Sequence, residues 1–92
     1  MISSFRHKGL KRLYEDDDPR GVMAEHVTKL RNILARLDAA GSVKDMDLPG
    51  FSLHSLKGPL LGFWAVTVRA NWRVVFRFAE SDTSDVDYLD YH

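Results

Sequence analysis

The stretch from Phe63 to Phe78, FWAVTVRANWRVVFRF, constrains the fold more than any other part of the chain. Trp64, Val66 and Val68 alternate with Ala65, Thr67 and Arg69, and Val74, Phe76 and Phe78 alternate with Arg73, Val75 and Arg77. Period-two alternation of β-branched and aromatic residues marks strands with one buried face, joined here by a tight connection at Ala70-Asn71. A two-residue loop would set Val68 opposite Arg73 and Trp64 opposite Arg77, mixing charge into the core. A three-residue loop pairs Val68 with Val74 and Arg69 with Arg73. Because a slip of one residue turns every side chain over, a three-residue loop or an equivalent bulge is expected. The hairpin then has one apolar face and one face carrying Arg69, Arg73 and Arg77.

The remainder of the chain supplies cover for the apolar face. Met1 to Phe5 suits an edge strand. From Arg6 to Tyr14, Leu10, Leu13 and Tyr14 fall on one helical side. The run from Glu15 through Pro19 to Gly21 is a turn. A longer amphipathic helix over roughly 22–39 follows, with Met23, Val27, Leu30, Ile33, Leu34 and Leu37 at three- and four-residue spacing. Gly41 stops it, Ser42 caps one further turn, and Pro49-Gly50 breaks the chain. Phe51 to Lys57 reads as a third strand, 80–85 as a polar loop, and 86–92 as a final strand. The expected architecture is α+β: a small twisted, mainly antiparallel sheet with two N-terminal helices on one face, in a single domain over 1–92.

Composition narrows the possible functions. The chain has 92 residues and no cysteine, which removes disulfides and thiolate metal sites and suits a reducing cytoplasm. No secretory or membrane-spanning segment is expected. Formal net charge is zero, yet charge is segregated: residues 1–14 and 51–78 carry lysines and arginines with no acid. Such blocks can give a basic face to a neutral molecule; the plain alternative is that folding intermixes them.

The residues able to do chemistry are His54, Lys57, Arg73, Asp90 and His92. Asp90 and His92, two apart on an extended strand, would project to one side, where the carboxylate could orient the imidazole. Two imidazoles, an acid and two cations suit RNA cleavage without a metal. A base takes the 2′-OH proton, an acid protonates the departing 5′ oxygen, and cations hold the phosphate. DNA lacks that nucleophile. Asp45/Asp47 and Asp85/Asp87 read as solvated acids, and no phosphate loop or zinc spacing is present. No cofactor is expected.

Four segments together resemble one known family: Phe5-Arg6-His7-Lys8-Gly9-Leu10, His54-Ser-Leu-Lys57-Gly58, Val68-Arg69-Ala70-Asn71-Trp72-Arg73 and the terminal Asp90-Tyr91-His92. At this mutual spacing, and over essentially the whole chain, they resemble the HigB toxins of the RelE-like superfamily. The resemblance implies a ribosome-dependent mRNA endonuclease, the toxin of a type II toxin–antitoxin pair, partnered by a helix-turn-helix, HigA-like antitoxin. It further implies a site made of His54, Lys57, Asn71, Arg73, Asp90, Tyr91 and His92. His92 with Asp90 and His54 would move protons, Lys57 and Arg73 would hold the scissile phosphate, and Asn71 and Tyr91 would position nucleotide. Arg69 and Arg77 are further candidates for RNA binding. Which histidine is base and which is acid stays open. Two other classes compete: a RelE-fold module that binds antitoxin without cutting, and a same-fold toxin acting on DNA gyrase. Many relatives are clearly basic, so this neutral chain should be drawn less strongly to the ribosome.

Overall fold

The computed structural model describes residues 1–91. Helix α1 spans Lys8–Asp16 and helix α2 spans Val27–Ala39; strands follow as β1 (His54–Ser55), β2 (Trp64–Arg69), β3 (Trp72–Ala79) and β4 (Asp82–Asp90). The four strands form one antiparallel sheet in sequential order. The N-terminal segment lies beside β4 through two parallel bridges, Ile2–Thr83 and Phe5–Val86. This is the α+β arrangement that the pattern predicts. Both helices turn Leu10, Leu13, Leu30, Ile33, Leu34 and Leu37 onto Val66, Val68, Val74, Phe76 and Val86 of the sheet.

Local chemistry sets the boundaries. The helix expected from Arg6 starts at Lys8, because the His7 ring caps it by accepting the Leu10 N–H at 3.0 Å. It ends at Asp17, which takes the left-handed conformation at φ 53°. Helix α2 is five residues shorter at its start than expected, since a 3-10 turn at Ala24–His26 takes up most of that segment, after another at Pro19–Gly21. Ser42 and Asp45 form a capping box on the next turn, as their spacing predicts. The third strand shrinks to His54–Ser55. The expected polar loop at 80–85 is mostly strand: Glu80 and Ser81 make the turn, both with positive φ, and β4 begins at Asp82.

The central hairpin corrects one expectation in an instructive way. Arg69 pairs with Trp72 across a two-residue turn, and a bulge at Val68 then restores Thr67 opposite Arg73 and Val66 opposite Val74. The faces match as expected, but through a bulge, with each pair two residues away from the three-residue-loop register. The turn's positive φ falls on Ala70 (51°) and not on Asn71. The bulge also separates the arginines. Both Val68 and Arg69 stand opposite Trp72 on the helix-bearing side, and Arg69 approaches Glu25 at 3.8 Å there. Only Arg73 and Arg77 share the open face.

That open face is less bare than its arginines suggest. Val75 and Ala65 pair directly across β3 and β2 and are buried with Leu56 and Phe63, forming a small second core beneath the loop that links β1 to β2. Two backbone bonds, Thr67 N–H to Phe51 O (2.7 Å) and Leu56 N–H to Phe63 O (2.9 Å), hold that segment along the sheet edge.

Candidate functional site

Register places each candidate. His54 lies opposite Ala65, which lies opposite Val75, so the imidazole is on the open face in the row of the second core. Its Nδ1 is 2.8 Å from the Ser52 carbonyl oxygen. A carbonyl only accepts, so Nδ1 carries the proton in this bond, and Nε2 is the ring's other nitrogen on an exposed side chain. Arg73 lies opposite Thr67 and Leu89, two residues nearer the hairpin turn. Its Nη1 donates to the carbonyls of Ala70 and Trp72, which folds the guanidinium over that turn, and its buried Nε has no partner among the described residues.

The chain's end arrives at the same turn. Trp72 pairs with Asp90, and the Tyr91 N–H donates to Asn71 O at 2.8 Å. The backbones of Asn71, Arg73, Asp90 and Tyr91 are therefore close together at this turn. Tyr91 is 39% exposed, so its ring is available to solvent. Asp90 stands opposite Trp72, which faces the helices, so its side chain leaves the sheet on that side at the rim, away from Arg73's row. His92, the imidazole that Asp90 is expected to orient, lies outside the described residues.

Lys57 departs from expectation. It follows Leu56, which is bonded to Phe63, and Phe63 precedes the residue facing Phe76 in the register that puts Arg77 beside it. The Lys57 and Arg73 backbones thus stand at opposite ends of the open face, roughly 16 Å apart along the strand direction. His54 lies between them. A single phosphate held by both cations would need the long lysine side chain to reach back across the face.

One residue escaped the sequence reading: Arg6, which joins the candidate Arg77 on one ring. The Arg6 and Arg77 guanidinium carbons each lie 4.9 Å from the centroid of the Phe63 ring. Arg6 reaches it because its N–H bonds Val86 O at 2.8 Å, which pins the N-terminal segment beside β4. The basic run at the N-terminus was a signal, but parallel pairing of residue 5 with residue 86 is not legible in either segment.

Behind the face, the trunk of the site is held by aromatic packing. The Tyr88 hydroxyl is 2.5 Å from Nδ1 of the buried His26, and its ring is 4.7 Å from that of Trp72. Burial pushes the Tyr88 hydroxyl's pKa up, so the hydroxyl stays protonated in its hydrogen bond with His26. Both tryptophans serve packing, since each lies against the main core. Among the described residues, no three His, Asp or Glu side chains are grouped to hold a metal.

Known proteins match this chain throughout. A family model described as the RelE-like toxin of the type II toxin–antitoxin system HigB covers residues 3–92. The chain is 42% identical over 92 residues to a Proteus vulgaris protein named Endoribonuclease HigB, covering all of both. It is 30% identical over 94 residues to Toxin HigB-1 of Vibrio cholerae serotype O1, covering all of this chain and 98% of that one. A full-length family match on a sheet with two helices on one face leaves one assignment: the chain belongs to the HigB-like family, RelE-like toxins of type II toxin–antitoxin systems.

Proposed function

We propose that this toxin is an endoribonuclease that cuts messenger RNA on the ribosome, using the open face of its single domain over residues 1–92. The observation that carries this reading is His54 on that face, with Nδ1 tied to the Ser52 carbonyl. Neutral, the ring presents the Nε2 lone pair to a 2′-OH; protonated, it presents Nε2–H to a leaving oxygen. The full-length likeness to a protein named an endoribonuclease supports the same chemistry.

In the proposed reaction the ribose 2′ oxygen attacks phosphorus as its proton passes to an imidazole. The bond from phosphorus to the 5′ oxygen breaks, and that oxygen takes a proton from the second carrier. The products are a 2′,3′-cyclic phosphate and a 5′-hydroxyl. His54 and His92 are the two proposed carriers, with Asp90, two residues before His92 in the sequence, as the acid proposed to orient it. Arg73, bent over the hairpin turn, offers a guanidinium to the charge that gathers on phosphorus, and Lys57 approaches from the other end. Asn71, Tyr91 and Arg77 contact nucleotide. Arg69, paired with Glu25 on the helix side, falls outside the proposed site.

Membership of a type II system gives this toxin an antitoxin partner. We propose a helix-turn-helix, HigA-like protein in that role and the cytoplasm as the place of action. No described helix is long and apolar enough to cross a membrane.

The test is induced expression in a bacterium with transcript 5′ ends mapped for the parent, His54→Ala and Arg73→Ala. The parent is expected to arrest growth and create new ends inside translated messages. His54→Ala should lower cutting by ~10²–10⁴-fold, the usual worth of a positioned acid or base. Arrest by the parent without new ends would overturn the reading and return the gyrase or non-cutting alternatives.

A further inference from the structure

We propose that Arg6 and Arg77, gathered on the Phe63 ring, form a clamp for the backbone phosphate of single-stranded RNA, at the end of the open face away from Arg73. The clamp rests on the RNA-cutting reading and adds a second point of grip to it. Both guanidinium carbons lie 4.9 Å from one ring centroid, so the two cations are within twice that distance of each other. Like charges brought this close repel, and an anion shared between them removes the repulsion.

The geometry leaves the right atoms free. A guanidinium resting on an aromatic face uses its π surface, while its N–H groups point outward in the plane, the fork that fits phosphate oxygens. Neither arginine's side chain has a hydrogen bond or an acidic partner among the described residues; the ion pairs there belong to Arg20, Arg31 and Arg69. Of the acids that the register puts on this face, Asp87 turns its Oδ1 to the Tyr88 N–H at 2.9 Å, and Asp82 lies opposite Ala79, a row beyond Arg77, with no ion pair to either arginine. Phe63 itself is buried in the second core, so the platform is fixed.

Position along the sheet gives the clamp its use. Arg73 and Tyr91 stand at the hairpin end, His54 lies in the middle, and Lys57, Arg77 and Arg6 stand at the far end. A strand of RNA running along β3 would be held on both sides of the histidine. Cations that track a single strand in this way supply affinity without sequence preference.

The test compares the parent with Arg6→Gln, Arg77→Gln, Arg6→Lys and His54→Ala in a translating bacterial extract. The readout is the toxin concentration giving half-maximal cleavage of a reporter message, across a series of KCl concentrations, with the thermal midpoint of each protein. Each glutamine variant should need about tenfold more toxin. Its salt dependence should also be shallower, by a slope of about 0.7 per lost phosphate contact. Arg6→Lys should retain most of the parent's salt slope, and His54→Ala should lose maximal rate with that slope unchanged. Glutamine variants that cut at the parent's concentration and slope would overturn the clamp, as would a weakening whose salt slope is unchanged. Those results leave the cutting reading intact, whereas a parent that cuts nothing would sink that reading and the clamp with it.

Discussion

Replacing Gly9 with alanine tests how the N-terminal segment is anchored. Gly9 sits in the first turn of α1, backbone to backbone against Gly21. A Cβ on Gly9 would lie 2.3 Å from the Gly21 carbonyl oxygen and 2.8 Å from its Cα. No rotamer relieves that overlap, because both partners are main chain. Alanine would gain about 1 kcal/mol from helix propensity. Overpacking of a tight contact costs about 1–3 kcal/mol, and here the helix or the Pro19–Gly21 turn must shift as well. The net expectation is destabilisation by about 1–2 kcal/mol, a fall in melting temperature of roughly 4–15 °C for a domain of this size. Gly21→Ala should do the same, since its Cβ would lie 2.5 Å from the Gly9 Cα. One outward shift accommodates both, so the double variant should lose less than the two single losses combined. Thermal unfolding followed by circular dichroism measures all three. A Gly9→Ala protein as stable as the parent, or more so, would refute the close contact.

Two further perturbations probe the layers behind the face. Tyr88→Phe deletes the hydroxyl beside the buried His26 Nδ1 and leaves that nitrogen unsatisfied. A loss of about 1–3 kcal/mol is expected in urea unfolding, and an unchanged midpoint would contradict the pairing. Asp38 accepts from the Tyr14 hydroxyl at 2.6 Å and from the Ile2 N–H at 3.2 Å. Those bonds lower the Asp38 pKa and raise that of Tyr14 to about 12. A lowered carboxylate stabilises the fold above its ordinary pKa and loses that contribution as pH falls through the folded value. A raised phenol stabilises below its ordinary value of 10.0 and loses that contribution as pH climbs towards about 12. The stability gap between the parent and Asp38→Ala should therefore be widest near neutrality, at about 0.5–1 kcal/mol given the exposure, and should narrow at both extremes. A gap independent of pH would remove Tyr14 and Asp38 from the account.

How much of this was legible in the sequence depends on the range of the interaction. Strand alternation in 64–68 and 74–78, the leucine spacing of α2 and the Ser42 capping box are local patterns, and the structure has each of them. The failures are places where a single residue changes parity. The bulge at Val68 carries Arg69 to the helix side, which no letter in Val68-Arg69-Ala70 announces. At Glu80-Ser81 polar residues with positive φ make a tight turn, so a segment that looked like a loop is mostly strand. Asn71, the better turn former by type, yields the left-handed position to Ala70. For the proposed site, β4 brings the backbones of Asp90 and Tyr91 to the turn that carries Asn71 and Arg73, while the Asp90 side chain leaves on the side of Trp72. The distance between Lys57 and Arg73 could not be foreseen, because it depends on how the loop from 49 to 53 docks on β2. Arg6 was hidden for the same reason, its place being set by the bridge between Phe5 and Val86.

The most direct measurement is the chemical nature of the ends left when purified toxin acts on a translated message. Side-chain acid–base attack by the ribose predicts a 2′,3′-cyclic phosphate upstream, a 5′-hydroxyl downstream, and no cutting where the nucleotide 5′ to the break carries a 2′-O-methyl group. Ends bearing 5′-phosphate, or cutting that persists at a 2′-O-methyl nucleotide, would contradict the account.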